Sequence, residues 1–91
     1  MDIINAKIKY SFLGVDENSS LYCQIAFEGK NGSSYTTSKI VFSNISFIKD
    51  ILNTLEVRSW EELSRKFARI KTDDKRVVAI GNLIEDKWVK V

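Results

Sequence analysis

Histidine and proline are absent from this 91-residue chain, and cysteine occurs once, at Cys23. Without histidine the chain lacks the usual general base of enzymes, and Cys23 has no imidazole that could activate it as a nucleophile. A lone cysteine also excludes an internal disulfide, and without histidine it cannot form a Cys/His zinc site. The sequence therefore predicts no catalytic residues, no metal site and no cofactor, and the single thiol fits a reducing compartment.

Long apolar runs are also missing. No stretch approaches the ~20 consecutive apolar residues of a membrane span. The first residues, MDIINAKIK, lack both the basic and the apolar region of a secretory signal. We therefore expect a cytoplasmic protein that has no membrane partner.

Positive charge is concentrated in the C-terminal part of the chain. Fourteen basic and twelve acidic residues give a net charge of only +2, far below that of an obligate nucleic-acid binder. Residues 1–56 carry five lysines and six acids, a sum of −1, whereas residues 57–91 carry nine basic residues and six acids, a sum of +3. The only candidate charged surface is therefore the set Arg65, Lys66, Arg69, Lys71, Lys75 and Arg76. This basic set could meet phosphates or an acidic protein face, or it could simply be a solvated strand face.

Alternation of apolar and polar residues predicts strands through most of the chain, within a single domain that spans residues 1–91. The predicted strands are 4–12, 21–27, 34–42, 67–72 and 77–84, with a short extra strand from residue 88. Cys23 falls on the apolar side of its strand, which indicates a buried hydrophobic residue.

Two helices are predicted between the third and fourth strands. Residues 45–55 carry an apolar stripe at helical spacing, and Ser43 or Asn44 can cap this helix. Ser59 followed by Glu62 matches a capping box, which predicts a second, short helix. The predicted order is βββααββ, an α+β fold in which two helices pack on one face of a small, mostly antiparallel sheet of about five strands.

Both tryptophans lie in the last third of the chain. Trp60 directly follows the predicted cap, so we expect it to fold over the core. Trp88 follows the polar turn 85–87, where a large aromatic residue either closes the core or projects into an interface. Both alternatives stay open, and Trp88 joins the basic set as a candidate partner-binding residue.

Four segments resemble a group of short proteins of bacteriophages and prophages: NAKI at 5–8, LG at 13–14, SWEEL at 59–63 and AIGNLIEDKW at 79–88. The resemblance implies an accessory protein that acts in the host cytoplasm by binding host machinery. Inhibitors of host defence, including anti-CRISPR proteins, belong to this class.

The leading hypothesis is therefore a non-enzymatic protein that binds a host protein stoichiometrically, such as a CRISPR effector nuclease. The alternative is a nucleic-acid-binding or nucleotide-binding module that uses the basic region 65–76. A homodimer is compatible with both hypotheses, because a chain of this size buries a modest fraction of its surface.

Overall fold

The β-strands of the computed structural model, which describes residues 1–91, form a closed barrel that accounts for most of the fold. Strands make up 48% of the chain. They are β1 (Asp2–Val15), β2 (Leu21–Glu28), β3 (Ser34–Thr37), β4 (Ile40–Val41), β5 (Phe67–Asp73), β6 (Arg76–Gly81) and β7 (Trp88–Lys90). The one α-helix, α1 (Ser46–Leu55), lies between β4 and β5 in the sequence.

Five strands close the barrel in the order β1, β5, β6, β3, β2 and back to β1. All of these neighbours are antiparallel except β3 and β6, which are parallel. The short strands β4 and β7 extend the sheet beside β2 and β6, respectively. No helix of the structure has both the length and the apolar character needed to cross a membrane.

The 14-residue strand β1 makes closure possible because it has different neighbours along its length. Its first half pairs with β5 from Asp2 to Lys7, and its second half pairs with β2 from Lys7 to Val15. The register shifts between Ile8 and Tyr10, and a bulge of this kind bends a strand and increases its twist.

Inward-facing residues of the barrel strands form the core, together with the buried side of α1. Phe27 is the largest of the fully buried side chains. The core comprises Ala6, Ile8, Cys23, Ile25, Phe27, Ile51, Leu55, Leu63, Ala68, Ile70, Val77, Ile80 and Val89. Trp60 packs against this cluster, as its position after the predicted cap indicated.

The predicted α+β class is wrong, because the sheet closes on itself and only one helix forms. The predicted second helix is a single 3-10 turn, Trp60–Leu63. Its capping box does not form, since the Ser59 hydroxyl donates to the Glu62 carboxylate (3.2 Å) and that carboxylate also accepts the Arg58 amide (3.1 Å). The first predicted helix is confirmed, and Asn44 accepts the amide of Ser46 at its start (2.8 Å).

The predicted strands are confirmed in place but differ in length. The third one breaks into β3 and β4, and the fifth ends at Gly81. Gly81 cannot carry a side chain, because a Cβ there would lie 2.6 Å from an atom of the Trp88 ring. The glycine therefore lets the indole lie directly on the sheet.

The loop between β6 and β7 depends on the buried side chain of Asn82, which is 8% exposed. Its amide nitrogen donates to the Thr54 carbonyl at the end of α1 (2.9 Å), and its oxygen accepts the amides of Ile84 and Glu85 (both 3.0 Å). One side chain thus ties the helix to the loop that leads into β7.

We expect Asn82→Ala to lower the free energy of unfolding by about 2 to 3 kcal/mol, because three hydrogen bonds disappear and the Thr54 carbonyl loses this partner. Urea unfolding measures the change. Asn53→Ala, which truncates an exposed asparagine of α1, serves as the control and is expected to change stability by less than about 0.5 kcal/mol. Equal effects of the two substitutions would contradict the structural role of Asn82.

Candidate functional site

The residues predicted to bind a partner separate into three places. Arg69, Lys71 and Trp88 come together on the outer face of the barrel, since Arg69 and Lys71 alternate with the buried Ala68 and Ile70. The Arg69 guanidinium carbon lies 4.9 Å from the Trp88 ring centroid, and the Lys71 ammonium lies 4.7 Å from it. Cation–π contact therefore joins these three residues.

The other four cations lie away from this group. Lys75 and Arg76 are at the β5–β6 turn, where the Lys75 ammonium lies 4.9 Å from the Tyr35 ring centroid. Arg65 and Lys66 precede β5, and their backbone is bonded to Ile8. The basic set is therefore not one continuous surface.

Arg69 and Trp88 also make contacts within the chain, and these contacts account for their positions without a binding partner. The Arg69 guanidinium donates to the carbonyls of Asn82 (2.6 Å) and Glu85 (2.8 Å), which fixes the β6–β7 loop. The Trp88 indole N–H donates to Asp86 (3.1 Å). Trp88 does not close the core, as was one expectation, but lies half-buried on the outer face over Gly81.

A second outer surface, formed by β1 and β2, carries three aromatic rings. We call Tyr10, Phe12 and Tyr22 the aromatic platform. Tyr10 and Phe12 are 55% and 46% exposed, and Tyr22 is half-buried. The rings of Phe12 and Tyr22 are 5.2 Å apart between centroids, and the Phe12 ring lies over Gly14, where a Cβ would come within 2.7 Å of it.

The register of the barrel places the three rings on one face. Tyr10, Phe12 and Gly14 lie opposite Ala26, Gln24 and Tyr22, respectively, and directly paired residues point to the same side of a sheet. The residues that alternate with them on β2 are Cys23, Ile25 and Phe27, all fully buried. The platform is therefore on the outside of the barrel wall whose inside is the core.

Lys39 lies at one end of the platform, with its ammonium 4.8 Å from the Tyr22 ring centroid. Asp16 holds it there through a 2.8 Å bond, and the other Asp16 oxygen accepts the amides of Asn18 and Ser20. The bonds from Lys39 and then from Ser20 hold the pKa of Asp16 below its usual value. This fixation of the β1–β2 loop is present at neutral pH, and it is lost as the pH falls through the lowered pKa of Asp16.

Arg76, at the β5–β6 turn, lies on the same outer face but at a distance from the rings. Across the ladder, Tyr10 is followed by Ala26 on β2, then by Thr36 on β3 and Arg76 on β6. Asp73 lies across from Arg76 and offsets part of its charge. Lys75 is not on this face, because its ammonium lies over Tyr35, whose directly paired residue Phe27 points into the core.

The sequence carries one signal for this surface, in the aromatic residues of β1. Tyr10 and Phe12 alternate at a strand spacing of two, which pointed to a buried face. The bulge after Ile8 changes which side of β1 faces inward, and so exposes both rings. The bulge could not be predicted from the sequence, because residues 8–10 include neither proline nor glycine.

Cys23 is fully buried, as its position in the alternating pattern predicted. Burial raises the pKa of the thiol from 9.0 to about 11, so the thiol is neutral at pH 7 and a poor nucleophile. The thiol of the unfolded chain ionises near its ordinary value. The contribution of the buried thiol to the free energy of unfolding is therefore fully present below about pH 9, and it is lost as the pH rises through about 11.

We expect the wild type to lose about 2 kcal/mol more stability than Cys23→Ala between pH 8 and pH 11, because only the wild type has this thiol to ionise on unfolding. Urea unfolding of both proteins across this interval measures the difference. Because the other titrating groups are common to both, identical pH dependence would contradict the raised pKa.

No three side chains of the types that bind metal converge anywhere in the structure. No family model matches this chain, and neither a curated protein nor a solved structure shows significant similarity to it. The description as an α+β anti-CRISPR inhibitor from a phage is therefore corrected: its fold class is wrong, and no comparison supports the phage or anti-CRISPR part.

Proposed function

We propose that this protein binds single-stranded nucleic acid on the aromatic platform. The observation that carries the proposal is a set of three aromatic rings on one outer face of the barrel, two of them exposed and one half-buried, with Lys39 beside Tyr22 and Arg76 farther across the same face. Aromatic side chains on such surfaces stack with unpaired bases, and flanking cations meet the phosphates. The site differs from the basic region 65–76 of the sequence-based alternative, since only Arg76 of that region lies on the same part of the outer face.

The topology supports the proposal. A five-stranded Greek-key barrel with its helix between the third and fourth barrel strands is the arrangement of OB-folds. Such barrels bind oligonucleotides and oligosaccharides on the face of strands two and three, between the loops that join strands one and two and strands four and five. The Asp16–Ser20 loop and the β5–β6 turn are the two corresponding loops, and the platform lies on strands one and two, so it shares only strand two with that face. Because a fold alone does not imply a function, the residues of this face carry the proposal.

The charges on this face predict modest affinity and shallow salt dependence. Lys39 is paired with Asp16, and Arg76 faces Asp73, so at most about two phosphates are neutralised on binding. The logarithm of the association constant should then fall with the logarithm of salt concentration with a slope of about −1.5 or shallower. Most of the binding free energy comes from stacking, at about 1 to 3 kcal/mol for each base.

Fluorescence anisotropy with a labelled oligothymidine tests the proposal, with a duplex of the same length as the control. We expect micromolar binding of the single strand at low salt, weaker binding of the duplex, and the shallow salt slope above. Absence of single-strand binding at low salt would dispose of the proposal, and equal affinity for the duplex would exclude base stacking as its basis.

Stoichiometric binding of a host protein, the leading sequence-based hypothesis, is the second candidate. It is favoured by apolar side chains near the tip of the β1–β2 hairpin and beside it: Leu13, Val15, Leu21, Val41 and Ile45 are between 41% and 66% exposed. Contiguous exposed apolar surface marks sites of protein association. Affinity capture from a cell lysate, comparing the wild type with Leu21→Lys, tests it: a specific partner lost with this substitution supports the hypothesis, and identical recoveries contradict it.

Both candidates describe a binding protein without a catalytic function. The proposal places it in the cytoplasm of the host cell, because its one cysteine is free and buried and so does not require an oxidising compartment.

A further inference from the structure

The second half of β1 is a sheet edge without a partner. Residues 2–7 pair with β5, but beyond Lys7 the strand pairs only with β2. On the other side, the last backbone bonds are those that join Ile8 to Arg65 and Lys66. From Tyr10 to Val15, one edge of β1 is therefore open to solvent.

The hydrogen bonds beside the β1–β2 turn show which backbone groups face this edge. The Asp16 amide donates to the Ser20 carbonyl (3.0 Å), so Asp16 is bonded toward the β2 side. Bonding alternates along an antiparallel strand. The N–H and C=O groups of Ser11, Leu13 and Val15 therefore point away from β2, into solvent.

Most natural sheet edges carry charges, prolines or coverage that prevent pairing with another chain. This edge has none of these from Tyr10 to Val15, a segment that reads YSFLGV. Leu13 and Val15 are 41% and 60% exposed. The segment is thus open to pairing by both its backbone and its side chains.

We infer that this edge pairs with the same edge of a second copy, forming an antiparallel, two-fold symmetric dimer. One register engages all three free residues, with Leu13 opposite Leu13 and Ser11 opposite Val15. It gives six hydrogen bonds, because each of the three bonded pairs exchanges two. The pairing is self-complementary, as a two-fold interface requires.

Charge and shape in this register favour a second copy over an unrelated strand. Lys9 precedes the paired segment and Glu17 follows it, so at each end an exposed lysine of one copy lies toward an exposed glutamate of the other. Phe12 lies opposite Gly14 of the second copy, and since each Phe12 ring covers the Gly14 of its own chain, the two Phe12 rings come side by side. No like charges face each other in the paired segment.

The dimer does not depend on the proposed function, but it would extend the binding surface. A two-fold axis perpendicular to the sheet keeps the outer faces of both copies on the same side. The two aromatic platforms would then form one continuous surface across the joined sheets. A single strand longer than one platform could contact both copies.

Sedimentation velocity over a range of concentrations tests the inference on the wild type, Leu13→Pro and Leu13→Ala. We expect the wild type to reach twice the chain mass of 10.4 kDa. Leu13→Pro should remain monomeric, since proline removes an N–H that faces solvent and not β2. Leu13→Ala keeps that N–H and should still dimerise, with a dissociation constant raised by about tenfold or less.

A wild type that stays monomeric at all concentrations overturns the inference, including the case in which the edge pairs instead with a strand of another protein. So does a Leu13→Pro variant that dimerises like the wild type. Circular dichroism shows whether Leu13→Pro is folded. If it is not, Leu13→Lys decides, because two lysines would meet at the two-fold axis: a monomer supports the inference and an unchanged dimer overturns it.

Discussion

Simultaneous substitution of Phe12 and Tyr22 by alanine is expected to weaken binding of single-stranded nucleic acid by about 100-fold. Each ring that stacks with a base contributes about 1 to 3 kcal/mol, and a loss near 3 kcal/mol corresponds to two powers of ten in the dissociation constant. Both rings are accessible on the outer face and contact each other. Anisotropy titration at fixed low salt gives the ratio of the dissociation constants.

Phe67→Ala is the matched control, because Phe67 is 55% exposed on the outer face but is not part of the platform: it lies on β5, opposite Lys7 of β1. We expect its affinity to stay within about twofold of the wild type, as its ring contacts no base in the proposed site. The salt slope of the double variant should be unchanged, since its cations remain. If Phe67→Ala and the double variant lose affinity equally, the platform is not the site.

Phe27→Ala is expected to lower the free energy of unfolding by about 3 to 5 kcal/mol. Phe27 is completely buried inside the barrel, opposite Ile8 on β1 and Tyr35 on β3. Its removal leaves a cavity where three strands meet, in a domain whose total stability is about 5 to 15 kcal/mol. The melting temperature should fall by about 20 °C.

Phe12→Ala provides the control for this effect, since it makes the same chemical change on the opposite side of the barrel wall. With its ring 46% exposed, Phe12 should contribute less than about 1 kcal/mol to stability. Thermal unfolding followed by circular dichroism compares the two. Similar losses would mean that the two faces of β1 and β2 are not divided into inside and outside.

Local patterns in the sequence predicted the elements well. The alternation of apolar and polar residues located the strands. The apolar stripe at 45–55 located α1, because residues at this spacing lie on one side of a helix, where they can pack against the core. Cys23 and Trp60 were placed correctly by their positions in these patterns. The outer face shared by Arg69 and Lys71 also followed from alternation.

Closure of the barrel could not be predicted, because it depends on pairings between distant segments. The parallel contact of β3 with β6 joins Thr36 to Arg76, forty positions apart, and no local pattern encodes it. The second helix failed for a local reason, since the Ser59 hydroxyl bonds to the Glu62 carboxylate and does not cap an amide.

The candidate site was missed for a related reason. Charge pointed to 65–76, but the fold distributes those cations over three places and uses Arg69 to hold a loop. The aromatic platform combines residues of two strands, with cations brought in by a third segment and by the β5–β6 turn. Only the closed barrel brings these parts together.

Titration of isotope-labelled protein with an oligothymidine, followed by amide chemical shifts, tests directly whether the aromatic platform binds single strands. We expect the largest changes at Tyr10, Phe12, Tyr22 and their neighbours, at Gln24, Lys39 and the β5–β6 turn. Changes confined to the face of Arg69, Lys71 and Trp88, or no changes at low salt, would contradict it.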